Sequence, residues 1–147
     1  MLCSRIEKVE LKEVTKVYGN LTAVDAVSLE VYGGELLVLI GPSGSGKTTL
    51  LRMINRLVEP DSGEVYINGR NVREFDIVKL RRNIGYVIQQ IGLFPHLSVK
   101  ENIELLMRLE GWSNERVAER VKELMELVSL PHEFSDRFPH QLSGGQQ

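Results

Sequence analysis

The sequence predicts an α/β fold, with an antiparallel β region before the central sheet and a helical region after it. An apolar run at 36–40 leads into a glycine-rich segment and a helix-like pattern, which is the strand, loop and helix order of an α/β core. Two earlier stretches, 6–14 and 24–31, have the composition of strands. Two amphipathic helical patterns begin after Ser98 and Ser113.

The first half of the chain contains strands around one helix. The strand at 24–31 places alternate apolar side chains on one face, at Val27, Leu29 and Val31. The helix after the glycine-rich segment is predicted over 47–58, with an inner side formed by Leu50, Leu51, Ile54 and Leu57. Residues 60–63 (PDSG) end this helix, and a short strand at 64–67 leads into the Asn68-Gly69 turn.

Two further elements precede the helical region. Asp76 is placed to cap a short helix that ends at Arg82, because an Asp side chain can accept hydrogen bonds from the free N–H groups of a first turn. Residues 83–88 (NIGYVI) predict another strand of the central sheet.

The helical region begins with a capping-box pattern, in which Glu101 follows Ser98 by three positions. The apolar residues of this helix predicted to face inward are Ile103, Leu106 and Met107. The helix after Ser113 repeats apolar residues at helical spacing and is stopped by Pro131; these residues are Val117, Val121, Leu124 and Val128.

The composition is that of a globular protein. Of the 147 residues, 42% are hydrophobic and 26% are charged, and the chain is long enough to bury a core. The formal net charge of −2 argues against a general nucleic-acid binder. The single cysteine, Cys3, cannot form an internal disulfide, which fits a reducing compartment. Because no apolar stretch approaches the roughly 20 residues of a membrane span, we expect any membrane association to be peripheral.

The glycine-rich segment Gly41–Thr49 (GPSGSGKTT) matches the phosphate-binding P-loop pattern between a strand and a helix. Gly44 and Gly46 can adopt positive φ, so backbone N–H groups can surround phosphates at a helix N-terminus. Lys47 supplies a positive charge for the β- and γ-phosphates, and the Thr48 hydroxyl can ligate Mg²⁺. The sequence therefore predicts a nucleoside triphosphate site formed by Gly41, Ser43, Gly44, Ser45, Gly46, Lys47, Thr48 and Thr49.

A P-loop alone does not distinguish kinases, GTPases and ATPases. Residues 142–147 (LSGGQQ) separate these classes of P-loop protein. Together with the P-loop, this hexapeptide resembles the signature of the ATPase subunits of ABC transporters, and the resemblance covers the whole chain in order. It implies an ABC-type P-loop NTPase with an incomplete central sheet. Residues 1–147 would form one partial nucleotide-binding domain, with the β region and P-loop core in 1–90 and the Q-loop and helical insert in 91–147.

The resemblance also implies roles for single residues. Tyr18 would stack on the adenine ring, and Lys47 would be catalytic. Gln89 would be the Q-loop glutamine that touches Mg²⁺ or the attacking water, with its neighbour Gln90 as the alternative register. In the family the signature motif contacts the γ-phosphate bound to a second subunit; the matching residues here are Ser143, Gly144, Gly145 and Gln146. The implied cofactors are ATP and Mg²⁺, and the implied partner is a second ATPase subunit arranged head to tail.

Two stretches, YVIQQIGLFPHLSVKENI and RLVEPDSGEVYINGRNV, look most like importer ATPases for osmoprotectants such as glycine betaine, carnitine or choline. This implies ATP hydrolysis that drives solute import through transmembrane permease subunits. Residues 92–99 would receive the permease, through Leu93, Phe94 and Leu97. The implied location is peripheral, on the cytoplasmic face of the membrane, without nucleic acid and without direct contact with the solute.

The family pattern continues after the signature with a Walker B strand, a D-loop and a switch histidine, and none of these can be assigned here. We therefore expect these 147 residues to be part of an ATPase domain, with a marginal fold and no significant ATPase activity. Two alternatives stay open, namely a soluble ABC-type ATPase that does not act in transport and a non-catalytic nucleotide-binding fragment. The absence of a long coiled-coil segment and of zinc-binding cysteines argues against the first alternative.

Overall fold

The computed structural model of the chain describes residues 6–89 and 92–147, so Cys3 and Gln90 lie outside the described residues. The chain divides into two compact units, Met1–Gly85 and Tyr86–Gln147. The division at residue 90, between the P-loop core and the helical insert, stays a prediction of the sequence analysis. Among the helices of the described ranges, none is long and apolar enough to cross a membrane.

The first unit is built on a four-stranded antiparallel sheet in the order β2-β1-β3-β4. Its strands are β1 (Lys8–Tyr18), β2 (Leu21–Tyr32), β3 (Ser62–Ile67) and β4 (Arg70–Asn71). The antiparallel β region and the short strand at 64–67 are therefore confirmed, with longer strands than predicted. Alternation along β2 is also confirmed, because its half-buried apolar residues are separated by exposed ones, and these half-buried residues are Val27, Leu29 and Val31.

Two helices and a 3-10 turn complete this unit: α1 (Lys47–Ile54), the turn Val72–Glu74 and α2 (Ile77–Arg82). The predicted cap of α2 is confirmed, since the Asp76 side chain accepts a hydrogen bond from the Lys79 N–H at 2.9 Å. The core is formed by sheet and helix residues that are almost fully buried, including Leu11, Val14, Val65, Ile67, Leu50, Met53 and Leu80.

The prediction for α1 was partly wrong. The helix ends at Ile54 instead of residue 58, because Arg56 adopts a left-handed φ of 54° that breaks the helical path. Leu57 therefore leaves the predicted inner face and is 48% exposed. Leu51 is also 48% exposed, since each residue turns a helix by about 100° and the buried face is centred on Leu50 and Met53.

The predicted strands at 36–40 and 83–88 are not formed. Their side chains are largely open to solvent, with exposures of 88% for Leu36, 92% for Ile40 and 95% for Val87. A strand of a central parallel sheet obtains its backbone hydrogen bonds from neighbouring strands, and no described strand pairs with either segment. The exposed apolar runs agree with the expectation of an incomplete central sheet.

The second unit contains α3 (Val99–Leu109), α4 (Asn114–Leu127) and two 3-10 turns, His132–Phe134 and Pro139–Gln141. Its core consists of Val99, Met107, Val117, Val121, Met125 and Leu142. The capping box of α3 is confirmed: the Glu101 N–H donates to Ser98 Oγ at 3.3 Å, and the Ser98 N–H donates to Glu101 Oε2 at 2.7 Å.

Two apolar residues of this unit are not placed as predicted. Leu106 is 47% exposed, because the inner face of α3 passes through Val99 and Met107 and Leu106 lies to one side of it. Val128 is 68% exposed, because α4 ends at Leu127 and Val128 is its C-terminal cap. The inner face of α3 also includes the buried carboxylate of Glu104, which accepts a hydrogen bond from Arg108 Nε at 2.7 Å.

Candidate functional site

The P-loop lies in the first unit and leads directly into α1. Gly46 is the N-terminal cap of α1 with a φ of 85°, and Gly44 has a φ of 83°, so the positive φ predicted for both is confirmed. A Cβ atom at Gly46 would lie 2.1 Å from the carbonyl oxygen of Ala23. Only glycine fits here, because the loop backbone is pressed against the first residues of β2.

Lys47 extends its ammonium group back into the loop. Its Nζ donates hydrogen bonds to the carbonyl oxygens of Gly41 at 2.8 Å and Pro42 at 2.7 Å, and to Ser45 Oγ at 3.0 Å. The three acceptors place one full positive charge inside the curve of the loop. An anion that approached this point would meet the charge together with the N-terminal end of the α1 dipole.

The hydroxyl groups of the predicted site surround the start of α1. Thr48 and Thr49 belong to its first turn, whose backbone N–H groups have no carbonyl partner within the helix. The side chain of Thr48 is exposed, as is that of Ser43. The structure thus brings the predicted residues 41–49 together, and an accessible hydroxyl oxygen of the kind that Mg²⁺ prefers stands beside the charged loop.

A cavity of about 460 Å³ lies against the P-loop. Its walls come from three segments of the first unit: Ala23 to Val27 on β2, residues 38–42, and the start of α1 with Lys47. This volume lies within the range of small-ligand pockets. The sequence analysis missed the β2 wall, including the carboxylate of Asp25, because an exposed residue of an alternating strand has no distinguishing pattern.

Tyr18 is at the end of β1 and pairs with Leu21 at the start of β2. Its side chain is 48% exposed, and Lys16 Nζ lies 5.6 Å from the centre of its ring. Ala23, whose carbonyl oxygen meets the P-loop at Gly46, is two residues beyond Leu21 on the same strand. The predicted aromatic residue therefore belongs to the hairpin that forms one wall of the cavity.

The remaining predicted site residues lie in the second unit. Gln89 is exposed and lines a separate cavity of about 460 Å³ together with Tyr86, Ile88, Leu93 and Gln147. The predicted permease contact is partly open, since Phe94 is 47% exposed and its backbone is held by the Asn102 side chain, which accepts from the Phe94 N–H at 2.8 Å.

The signature residues form a tight exposed turn. Gln146 Oε1 accepts a hydrogen bond from the Ser143 N–H at 3.0 Å, and the Gln146 N–H donates to the Ser143 carbonyl oxygen at 2.9 Å. The Gln147 N–H also donates to the Ser143 carbonyl oxygen, at 3.1 Å, so two successive N–H groups close the turn on the same acceptor.

Sequence comparison decides the family. Residues 24–147 match the sequence profile described as ABC transporter. The chain belongs to the ABC transporter family. This confirms the resemblance drawn from the P-loop and LSGGQQ, and the match includes both motifs.

Two relatives of this ABC protein are named for the transport of osmoprotectants. The chain is 53% identical over 139 residues to OpuCA of Bacillus subtilis, a glycine betaine/carnitine/choline transport ATP-binding protein, with 94% of this chain and 37% of OpuCA covered. It is 51% identical over 144 residues to OsmV of Salmonella typhimurium, an osmoprotectant import ATP-binding protein, with 97% of this chain and 38% of OsmV covered. The chain thus spans less than two fifths of the length of these two curated relatives.

Solved structures confirm the fold class. The ATP-binding cassette MJ0796, determined as a dimer in a post-hydrolysis state bound to ADP and Pi, is 40% identical and superposes with a TM-score of 0.84. The superposition covers 94% of this chain and 64% of that cassette. The fold described above is therefore that of an ATP-binding cassette over the part that the chain spans.

Proposed function

We propose that this chain binds ATP with Mg²⁺ at Gly41–Thr49, and that the protein couples ATP hydrolysis to the import of quaternary-amine osmoprotectants. The observation that carries the binding proposal is the ammonium of Lys47, held within 2.7–3.0 Å of three acceptors of the P-loop beside a cavity. The similarity to OpuCA and OsmV, which are named for osmoprotectant transport, supports the substrate class and favours transport over the non-transport alternative.

The P-loop residues would divide the work of phosphate binding. The N–H groups of the first turn of α1 would donate to phosphate oxygens, and Lys47 would neutralise charge on the β- and γ-phosphates. The exposed Thr48 hydroxyl would ligate Mg²⁺, and Gln89 carries a second suitable oxygen. Bound Mg²⁺ supplies positive charge that stabilises the transferring phosphoryl group. Tyr18 would stack on adenine through the exposed part of its ring.

The proposed assembly is a head-to-tail pair of ATPase subunits on a membrane permease. In this arrangement the exposed turn at Ser143–Gln146 would reach the γ-phosphate held by the P-loop of the second subunit. Leu93, Phe94 and Leu97 would contact the permease at the cytoplasmic face of the membrane. The solute would pass through the permease without touching this chain, and no nucleic acid would take part.

The 147 residues by themselves are proposed to bind ATP but to have no significant ATPase activity. The carboxylate pair that would hold Mg²⁺ and polarise water cannot be assigned among them. A phosphate-release assay on the chain tests this statement, and sustained turnover would contradict it.

The binding proposal is tested by Lys47→Ala. Charge-assisted hydrogen bonds contribute about 1.5–3 kcal/mol, so we expect ATP affinity measured by titration calorimetry with Mg²⁺ to fall by roughly 10- to 150-fold. The matched control is Lys79→Ala, which removes the same charge from the exposed surface of α2. An unchanged affinity in Lys47→Ala, with both variants folded, would show that ATP does not bind at this loop.

A further inference from the structure

Asp61 ties the end of β1 to the turn before β3 through three hydrogen bonds. Its Oδ1 accepts from Lys16 Nζ at 2.8 Å, and its Oδ2 accepts from the Val17 N–H at 2.7 Å. Its own N–H donates to the carbonyl oxygen of Thr15 at 2.8 Å. One carboxylate therefore holds both a side chain and the backbone immediately before Tyr18.

The ion pair with Asp61 fixes the position of the Lys16 ammonium group. The Lys16 side chain is only 18% exposed, and its ammonium lies over the ring of Tyr18, two residues further along β1. A cation is attracted to the face of an aromatic ring, and this attraction strengthens when the cation is withdrawn from water. The hydrogen bonds from Lys16 and from the Val17 N–H lower the pKa of Asp61. The carboxylate therefore stays ionised and maintains its ion pair with Lys16.

Lys16 lies over one face of the Tyr18 ring, with its Nζ 5.6 Å from the ring centre, while Tyr18 as a residue remains 48% exposed. Strand pairing with Leu21 fixes the chain after the ring, and the bond between Asp61 and Val17 fixes it before the ring. A flat aromatic group held at both ends of its backbone is a suitable platform for stacking a base.

We propose that Lys16 and Asp61 are positioning residues for the nucleobase, which act by holding Tyr18 so that the ring face opposite Lys16 stacks on adenine. This inference rests on the proposed binding of ATP at the P-loop with Tyr18 against the base. The two residues touch the tyrosine and its backbone, and the nucleotide is contacted by Tyr18 itself.

The test separates the base from the phosphates. The intact 147-residue chain and its variants are titrated by calorimetry with ATP and with inorganic tripolyphosphate, each with Mg²⁺, and the ratio of the two affinities measures the contribution of the nucleoside. We expect Lys16→Met and Asp61→Asn each to lower this ratio by about threefold to tenfold, while tripolyphosphate affinity stays unchanged. Lys16→Arg keeps a cation over the ring and should restore the ratio.

Lys12→Met is the matched control, because Lys12 is on the same strand with its Nζ 4.8 Å from the ring centre of a different tyrosine, Tyr66. This substitution should leave the ratio unchanged. The inference is overturned if the ratio is unaltered in both test variants, or if tripolyphosphate affinity falls by the same factor, which would indicate a general structural role. If the unsubstituted chain binds neither ligand, the proposed function itself fails, and the inference fails with it.

Discussion

At the scale of single residues, Gly63 shows how the absence of a side chain permits a strand pairing. Its φ is 80°, and a Cβ atom would lie 2.4 Å from the carbonyl oxygen of Glu13 on β1. Glu13 itself has a φ of 47°, and the pairing of β1 with β3 shifts register between Lys12 and Thr15. The two strands can approach at this irregularity only because residue 63 has no side chain.

Gly63→Ala should therefore destabilise the first unit more than an ordinary glycine substitution. The left-handed backbone costs alanine about 1–2 kcal/mol, and the displaced backbone adds a further 1–2 kcal/mol or so. Gly69→Ala is the control, since its φ is 75° but nothing lies within 4 Å of the added Cβ. Urea unfolding followed by circular dichroism measures both. Equal losses of unfolding free energy in the two variants would contradict the role of the contact with Glu13.

Individual site residues were predictable to the extent that the P-loop is a local pattern. The positive φ of Gly44 and Gly46 follows from a loop that must curve tightly before a helix, and the structure confirms it. The sequence assigns Asp61 only to the segment that ends the P-loop helix, since its partner Lys16 is 45 positions away along the chain. Periodicity and turn chemistry describe near neighbours, so they contain no information on such a pair.

At the scale of elements, the capping box of α3 has two reciprocal hydrogen bonds that a lone cap lacks. Ser98 is almost buried, and its bond with Glu101 runs in both directions. Ser113 at the start of α4 accepts one longer bond, from the Arg116 N–H at 3.4 Å. The two caps use the same residue type, so they form a matched pair within one unit.

Ser98→Ala should lower the unfolding free energy of the second unit by about 1–2 kcal/mol, because it removes the acceptor for the Glu101 N–H and leaves that group without its bond. Ser113→Ala should cost about 0.5 kcal/mol, since Ser113 is exposed and water can replace the lost acceptor of the Arg116 N–H. Fluorescence of Trp112, the only tryptophan of the chain, reports the urea transition of this unit. A larger loss in Ser113→Ala would contradict the capping-box argument.

Elements whose hydrogen bonds are internal or lie within one hairpin were predicted best. The helices α2, α3 and α4 and the strands around Asn68-Gly69 need only nearby residues. Residues 36–40 and 83–88 have the composition of strands, but a strand forms only when a neighbour accepts and donates its hydrogen bonds. Composition alone could not show that these neighbours are not among the described strands.

At the scale of the whole molecule, hydrogen-bonded carboxylates make the stability of the folded state sensitive to acid. The folded structure lowers the pKa of several carboxylates, each through hydrogen bonds from neighbouring donors: Glu30, Glu59, Asp61, Glu101 and Glu115. The effect on Glu30 is large: its pKa falls from 4.5 to about 2, because Lys8 and Tyr32 donate hydrogen bonds to it. The distances are 2.7 Å from Lys8 Nζ and 2.7 Å from the Tyr32 hydroxyl.

The sign of the pH dependence follows from the proton count. Between pH 4.5 and about 2 the unfolded chain binds a proton at Glu30 that the folded chain does not bind. The contribution of Glu30 to the free energy of unfolding is therefore fully present above this window and is lost as the pH falls through it. Glu30→Gln should therefore reduce the decrease in urea midpoint between about pH 5 and about pH 3. Glu119→Gln, which removes an exposed carboxylate from α4, is the control and should leave that decrease nearly unchanged. A decrease in Glu30→Gln as steep as that of the unsubstituted chain would show that the Lys8 and Tyr32 bonds do not persist in solution, because a carboxylate without them would titrate alike in both states.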